Sequence, residues 1–127
     1  MQGTGVSIGL SRLELERAPG SRVVHHADAI AWLRAAPRSP VASVITSLPD
    51  VSELPGRDLA AWRAWFEDAA ELSARRVDEA GVAIFFQSDV KLAGTWIDKA
   101  ALVARGVERT GMRLLFHKIV CRLAPRS

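Results

Sequence analysis

The polar side chains with the clearest chemical potential each follow an apolar segment of the chain. They are Asp28, the loop residues Ser47, Leu48, Pro49 and Asp50, and the pair Gln87 and Asp89. In parallel α/β sheets, ligands bind beyond the carboxyl ends of the strands. We therefore predict one shared site that combines a carboxylate, a proline-bearing turn and an amide–acid pair. The alternative is that these residues are ordinary caps and turns, because Asp and Ser favour such positions.

Other kinds of site find less support in the sequence. His25 and His26 are adjacent, so in a strand they would point to opposite faces and could not easily ligate one metal ion. His117 stands alone, and a structural or solvent-facing role is the simpler interpretation for all three histidines. The chain has no G-x-G-x-x-G segment and no phosphate-binding loop. Ser47 lacks the Gly-x-Ser-x-Gly context of a hydrolase nucleophile.

The elements that must position these side chains alternate between strands and helices. The predicted order is strand 22–26, helix 29–36, strand 41–46, helix 57–77, strand 82–86, helix 95–110 and strand 112–121. Such alternation indicates an α/β fold with a mostly parallel, Rossmann-like sheet and helices on both faces. Residues 21–127 would form this domain, and residues 1–20 an N-terminal arm or edge strand.

Two helices carry the most local information. In the segment 57–77, large apolar residues recur at spacings of three and four, which is typical of one buried helix face. Thr95 followed by Asp98 predicts the capped start of the helix 95–110. Trp96 would then lie near the sheet end, either in the core or against a substrate.

Composition limits the class of protein. The chain has 127 residues, of which 49% are hydrophobic and 24% charged, so it has the composition of a single folded domain. The formal net charge of +3 comes from 17 basic and 14 acidic residues that are scattered along the chain. A dedicated nucleic-acid binder would more often show a basic stripe. A mixed solvated surface is therefore favoured, and weak attraction to nucleic acid stays open.

Cysteine usage and the apolar runs indicate the compartment. Cys121 is the single cysteine, so no internal disulfide can form. The longest apolar runs, 82–86 and 100–104, are far shorter than the roughly 20 residues of a membrane helix. The N-terminus lacks the basic and apolar regions of a secretory signal. We therefore expect a cytoplasmic protein with no membrane partner.

One part of the chain resembles a known family. Residues 26–37, His-Ala-Asp-Ala-Ile-Ala-Trp-Leu-Arg-Ala-Ala-Pro, and then residues 41–50 resemble the opening of amino-methyltransferases that act on adenine or cytosine. These enzymes are class I S-adenosylmethionine-dependent methyltransferases whose motifs occur in a permuted order along the chain. Their sequences contain a G-D-x-x-x-x-L motif, followed by a strand and then by an [S/N/D]-P-P-[Y/F/W] loop. Here the loop is Ser47-Leu48-Pro49-Asp50, and Phe116-His117-Lys118 resembles the family's later W-x-K strand end. The similarity covers roughly residues 23–121.

The resemblance implies a role for each residue of the predicted site. Asp28 would accept a hydrogen bond from the adenine of S-adenosylmethionine. Ser47, the Leu48 carbonyl and Pro49 would hold the target amino group, and with Asp50 at the fourth position they are the predicted catalytic loop. The rate enhancement of methyl transfer would then come from positioning the amino group and from electrostatic stabilisation. Gln87, Asp89 and Trp96 are the predicted substrate-binding residues.

Three departures from the family pattern shape the alternatives. Asp50 stands where the family has an aromatic residue, Leu48 replaces a proline, and the glycine-rich cofactor motif F-x-G-x-G is absent. The chain then fits a methyltransferase fragment, or a half completed by a second copy or another partner chain. An interaction module is the alternative function, and it predicts an exposed apolar surface where the missing strands would pack. A weak RNA- or DNA-binding domain is the third hypothesis.

Overall fold

The computed structural model describes residues 20–35 and 43–123. The elements in chain order are α1 (Ala29–Ala35), β1 (Val44–Thr46), a 3-10 turn (Val51–Glu53), α2 (Leu59–Arg75), β2 (Ala83–Phe85), β3 (Val90–Leu92), β4 (Thr95–Ile97) and α3 (Lys99–Glu108). The predicted N-terminal arm, apart from Gly20, lies outside the described residues. The last residue of the predicted helix 29–36 and the first two residues of the predicted strand 41–46 also lie outside them.

The strands form two separate two-stranded sheets. β1 and β2 pair in parallel, with Ile45 opposite Ile84, while β3 and β4 form an antiparallel hairpin. The predicted α/β fold with a mostly parallel, Rossmann-like sheet and helices on both faces is therefore wrong. Two of the predicted strands, 41–46 and 82–86, are present as β1 and β2, but the predicted strands at 22–26 and 112–121 are not strands.

Among residues 20–35 and 43–123, neither of the segments 22–26 and 112–121 has a partner strand. A β-branched, apolar composition favours extended backbone, but a strand also needs a neighbour that accepts and donates its hydrogen bonds. In the first segment Val24 is 86% exposed, and in the second Ile119 is 84% exposed. Both segments are thus apolar in composition but are not buried in a sheet.

Helix α2 forms the centre of the fold, as its apolar spacing predicts. Asp58 caps its first turn by accepting a hydrogen bond from the amide of Ala61 at 2.7 Å. Trp62 and Phe66 are fully buried, with ring centroids 5.0 Å apart. They pack with Leu48 at the end of β1 and with Ile97 and Leu102 around α3. This cluster supports the loop that follows β1.

The hairpin β3–β4 replaces the predicted start of the last helix. Ala93 and Gly94 have φ values of 49° and 80°, which gives the two-residue turn whose twist suits an antiparallel pair. Thr95 consequently begins β4 and is not a helix cap. The cap is Asp98, whose side chain accepts a hydrogen bond from the amide of Ala101, so α3 begins at Lys99. The predicted helix 95–110 is therefore present, but its predicted start at Thr95 is wrong.

Charged side chains join the outer faces of α2 and α3. Glu67 accepts hydrogen bonds from Arg105 at 2.7 Å and from Arg109 at 2.8 Å. Arg109 also donates to Asp68, which raises the pKa of the guanidinium above its usual value. On the same surface, the hydrogen bond from Arg75 lowers the pKa of Glu71 below that of a free glutamate. The network fixes the two helices against each other.

Across the described ranges, every helix falls short of the length and apolar character that crossing a bilayer would require.

Candidate functional site

The carboxyl ends of β1 and β2 bring two of the predicted groups together. Because the strands are parallel neighbours, the loop 47–50 and the residues after Phe85 leave the sheet side by side. The side chain of Gln87 reaches across and binds Leu48 at both of its main-chain polar groups. Its Oε1 accepts from the Leu48 amide at 2.6 Å, and its Nε2 donates to the Leu48 carbonyl at 3.2 Å. Gln87 therefore holds the loop in place.

The next residue of the loop is held from the core side. The indole Nε1 of Trp62 donates to the carbonyl oxygen of Pro49 at 3.2 Å. A buried indole N–H needs an acceptor, and this carbonyl provides it. Two side chains from different elements thus fix the backbone of consecutive loop residues.

Asp50 ends the loop and starts the 3-10 turn. Its Oδ1 accepts from the Val51 amide at 2.8 Å, and its own amide donates to Glu53 Oε2 at 2.6 Å, which is a reciprocal capping pair. The same Oδ1 lies 3.3 Å from the ammonium of Lys99. Asp50 is therefore engaged in local capping and in an ion pair.

Lys99 is the residue of this region that sequence reasoning missed. Its side chain is 4% exposed, and it sits at the first position of α3. A lysine at a helix N-terminus faces the positive end of the helix dipole, so its placement there signals a specific partner. In the sequence, a lysine in the first turn of a helix was the signal that could have indicated a specific partner. The structure shows that this partner is Asp50. A buried ammonium of this kind depends on its counter-ion.

Asp89 and Trp96, both predicted to bind substrate, bind each other. The indole Nε1 of Trp96 donates to Asp89 Oδ2 at 3.2 Å, and the amide of Lys99 donates to Asp89 Oδ1 at 2.8 Å. Asp89 thereby joins β4 to the start of α3. Trp96 is 64% exposed, so one side of its ring remains open to solvent.

Asp28 forms its hydrogen bond within α1 and not with the loop 47–50. Its Oδ1 accepts from the amide of Ala31 at 2.8 Å and caps α1. Over residues 20–35 and 43–123, no hydrogen bond or ion pair connects Asp28 with the loop 47–50. Asp28 is therefore a helix cap, in agreement with the alternative interpretation of the sequence, in which these polar residues are ordinary caps and turns.

Few polar groups of the loop 47–50 remain available to bind a ligand. The Leu48 carbonyl already accepts from Gln87, and the Asp50 carboxylate is paired with Lys99. Ser47 is exposed and keeps its hydroxyl available to a ligand. The groups of this region that remain accessible to a ligand include the hydroxyl of Ser47 and the indole ring of Trp96.

Comparison with known proteins adds no assignment, because no protein family, no curated protein and no solved structure matches this chain at a significant level.

Proposed function

We propose that this chain is a protein-interaction module that associates with a second copy of itself. Residues 112–123 of one copy add to the open edge of β1 in the other. The observation that carries the proposal is the exposure of this C-terminal segment, whose large apolar side chains are 58–93% exposed. They are Leu114, Leu115, Phe116, Ile119, Val120 and Leu123. Exposed apolar surface of this extent marks interaction sites in soluble proteins.

Within the described part of the chain β1 pairs with β2 alone, and its other edge offers the matching half of the contact. In the parallel ladder, the amide of Val44 bonds the Val82 carbonyl, and the carbonyl of Thr46 accepts from the Phe86 amide. The intervening residue, Ile45, consequently directs its amide and carbonyl away from β2. Its side chain is 75% exposed. An edge of this kind pairs readily with an extended segment through main-chain hydrogen bonds.

Charge also favours the pairing of these two surfaces. The segment 112–123 contains Arg113, Lys118 and Arg122 and no acidic residue. Beyond the carboxyl end of β1, the side chains of Glu53 and Asp58 are exposed. Opposite charges at the two contact regions steer association and fix its register.

The amount of apolar surface suits a two-fold dimer. Full burial of a Leu, Ile, Val or Phe side chain removes roughly 100 Å² of apolar area, so two copies of the segment cover roughly 1,000 Å². A specific interface needs about that much in total. Reciprocal exchange of one segment also closes the assembly at two copies, which an open-ended contact would not do.

The test is the molar mass of the full chain, measured by light scattering across a concentration series. We expect a dimer for the wild type, and a monomer for the double variant Leu114→Ser/Ile119→Ser. The variant Ile45→Lys attacks the other half of the contact and is also expected to be monomeric. Val24→Ser is the matched control and should remain dimeric. Val24 is about as exposed as Ile119 but lies outside the proposed contact.

Two results would overturn the proposal. A wild-type monomer at high concentration would mean that the segment packs on its own chain or stays free. Continuous growth beyond two copies would rule out a closed exchange. Binding of the segment to RNA or DNA in a gel shift, with affinity that falls steeply with salt, would favour nucleic acid as the occupant.

Methyl transfer is the second candidate function. In its favour, the loop 47–50 and Gln87 lie at the carboxyl ends of neighbouring parallel strands, with the Ser47 hydroxyl accessible. Calorimetry with millimolar S-adenosylmethionine tests it, and Asp28→Ala should weaken any binding. Absence of heat from folded protein would reject autonomous cofactor binding. For either function we place the chain in the cytoplasm, where the exposed thiol of Cys121 stays reduced.

A further inference from the structure

The parallel sheet formed by β1 and β2 has one face that packs on the core and one that does not. Side chains alternate between the two faces along a strand, and paired residues of neighbouring strands share a face. Phe85 lies on the inner face and packs against the core cluster around α2. The opposite face, hereafter the open face, carries four large apolar side chains. They are Ile45, Val82, Ile84 and Phe86.

The open face is exposed at both of its ends. The carbonyl of Val82 and the amide of Phe86 still take part in the ladder with β1, so the alternation continues one residue beyond either end of β2. Ile45 is 75% exposed, Phe86 65% and Val82 39%. Because parallel sheets are usually buried on both faces, this face is where the sheet has room for a further layer.

The segment 112–123 is apolar on both of its faces when it is extended. Residues two apart share a face of a strand, and each of the two rows contains three large apolar side chains. The rows are Leu114, Phe116 and Val120, and Leu115, Ile119 and Leu123. Such a pattern is typical of a strand that is buried on both sides. If the segment adds to β1, the core covers the inner row alone, and the other row extends the open face.

We propose that the two copies of the dimer stack their sheets on each other through the open faces. This inference rests on the proposed exchange of residues 112–123, and it supplies the second covering layer that the exchanged strand requires. Sheets that pack face to face lie about 10 Å apart, with the side chains of the two inner faces interdigitated. One two-fold axis relates both the exchanged segments and the stacked faces, so the assembly still closes at two copies.

Charge and area both identify a second copy as the occupant of the open face. A two-fold contact places identical patches against each other, so a charged patch would repel itself, whereas the side chains of this face carry no charge. The open face adds roughly 400 Å² of apolar area over two copies. Together with the exchanged segments, the interface then covers roughly 1,400 Å², which lies within the range of stable protein interfaces.

The first test measures whether the open face is covered in the dimer. Val82→Cys in a Cys121→Ala background places a single thiol on this face and changes little volume. Light scattering gives the dimer dissociation constant of this variant, and alkylation by iodoacetamide should slow several-fold as the protein concentration rises through that constant. Ala64→Cys in the same background is the matched control. Ala64 is exposed on α2, so its alkylation rate should not depend on concentration.

The outcomes separate this inference from the proposed exchange of segments. If the wild type and the Val82→Cys variant are both dimeric and the thiol reacts at a constant rate, the stacking of the open faces is overturned and the exchange stands. A wild type that remains monomeric at high concentration overturns both. A rate that falls with concentration in the Val82→Cys variant and not in the Ala64→Cys variant supports the stacking.

A second variant tests the same contact without a thiol. Phe86→Ser removes a large aromatic side chain from the open face of each copy and should raise the dimer dissociation constant at least about 10-fold. Leu92→Ser removes an exposed apolar side chain from the hairpin and should leave the constant unchanged. An unchanged constant in Phe86→Ser, with circular dichroism equal to that of the wild type, would overturn the stacking. If the Val82→Cys variant does not fold, this comparison decides by itself.

Discussion

Gln87 binds both main-chain polar groups of Leu48, at 2.6 Å and 3.2 Å, and so ties the ends of β1 and β2 together. Leu48 is itself buried in the core beside Trp62. The contact therefore links the three-residue parallel pair to the packing of α2. It also occupies the carbonyl that a methyl-acceptor site in this loop would need.

Replacement of Gln87 should destabilise the fold. In Gln87→Leu, the amide and carbonyl of Leu48 lose their partner in a half-buried position, which costs about 1–3 kcal/mol. Urea unfolding monitored by circular dichroism gives the change in the free energy of unfolding. Ser88→Ala changes an exposed neighbour and serves as the control. Equal stability of Gln87→Leu and the wild type would show that water satisfies Leu48.

The ion pair between Lys99 and Asp50 should be asymmetric in its response to mutation. Asp50→Asn keeps a good capping side chain but leaves the buried ammonium unpaired, and we expect a loss of about 3 kcal/mol. Lys99→Met keeps the volume and removes the charge, so the free energy of unfolding should change by less than about 1 kcal/mol. In the double variant the Asp50→Asn penalty should largely disappear. Additive single effects would contradict a direct pair.

Gly106 should be intolerant of any side chain. A Cβ atom there would collide with the carbonyl oxygen of Glu67 and lie 3.1 Å from the Ala70 Cβ. Alanine favours a helix over glycine by about 1 kcal/mol, but forced separation of α2 and α3 costs about 1–3 kcal/mol. We expect Gly106→Ala to lower the thermal midpoint. Glu108→Ala, on the exposed side of α3, should leave it within a degree or two of the wild type. A raised midpoint for Gly106→Ala would contradict the close contact.

The surface network should make stability depend on pH through Glu71. Arg75 lowers the pKa of Glu71 in the folded state, so folding favours the ionised form. This contribution is present above about pH 4.3, where an unfolded glutamate is ionised, and it is lost as the pH falls through the lower folded-state pKa. Glu71→Gln should therefore be less stable than the wild type at pH 7 and equally stable near pH 2. Thermal unfolding at both pH values measures this, and a constant difference would contradict it.

The thiol of Cys121 reports on the proposed exchange of segments. Cys121 is exposed in the single copy and lies within residues 112–123. If that segment is covered by a partner, alkylation by iodoacetamide should slow several-fold as the protein concentration rises through the dimer dissociation constant. In Leu114→Ser/Ile119→Ser the rate should not depend on concentration. A concentration-independent rate in the wild type would argue against coverage of the segment.

The candidate site was partly predictable from the sequence. The loop 47–50 and the residues Gln87 and Asp89 were expected at the carboxyl ends of strands; the loop does follow β1 and Gln87 follows its parallel neighbour β2, whereas Asp89 directly precedes β3. Their contacts were not predictable, because a side chain 39 residues away in sequence supplies the partner of Leu48. Asp28 shows the opposite case, since its cap of α1 is a local interaction and needs no tertiary information.

Local patterns in the sequence by themselves determined the presence of the helices and of the two parallel strands. The spacing of apolar residues defines the buried face of α2, and short β-branched or aromatic runs define β1 and β2, because these signals act within a few residues. Tertiary structure alone decided which extended segments find a partner, since strand pairing depends on residues far apart in the chain. It therefore left the large apolar side chains from Leu114 to Leu123 exposed, buried Lys99 against Asp50, and buried Arg76 beside the Trp32 ring.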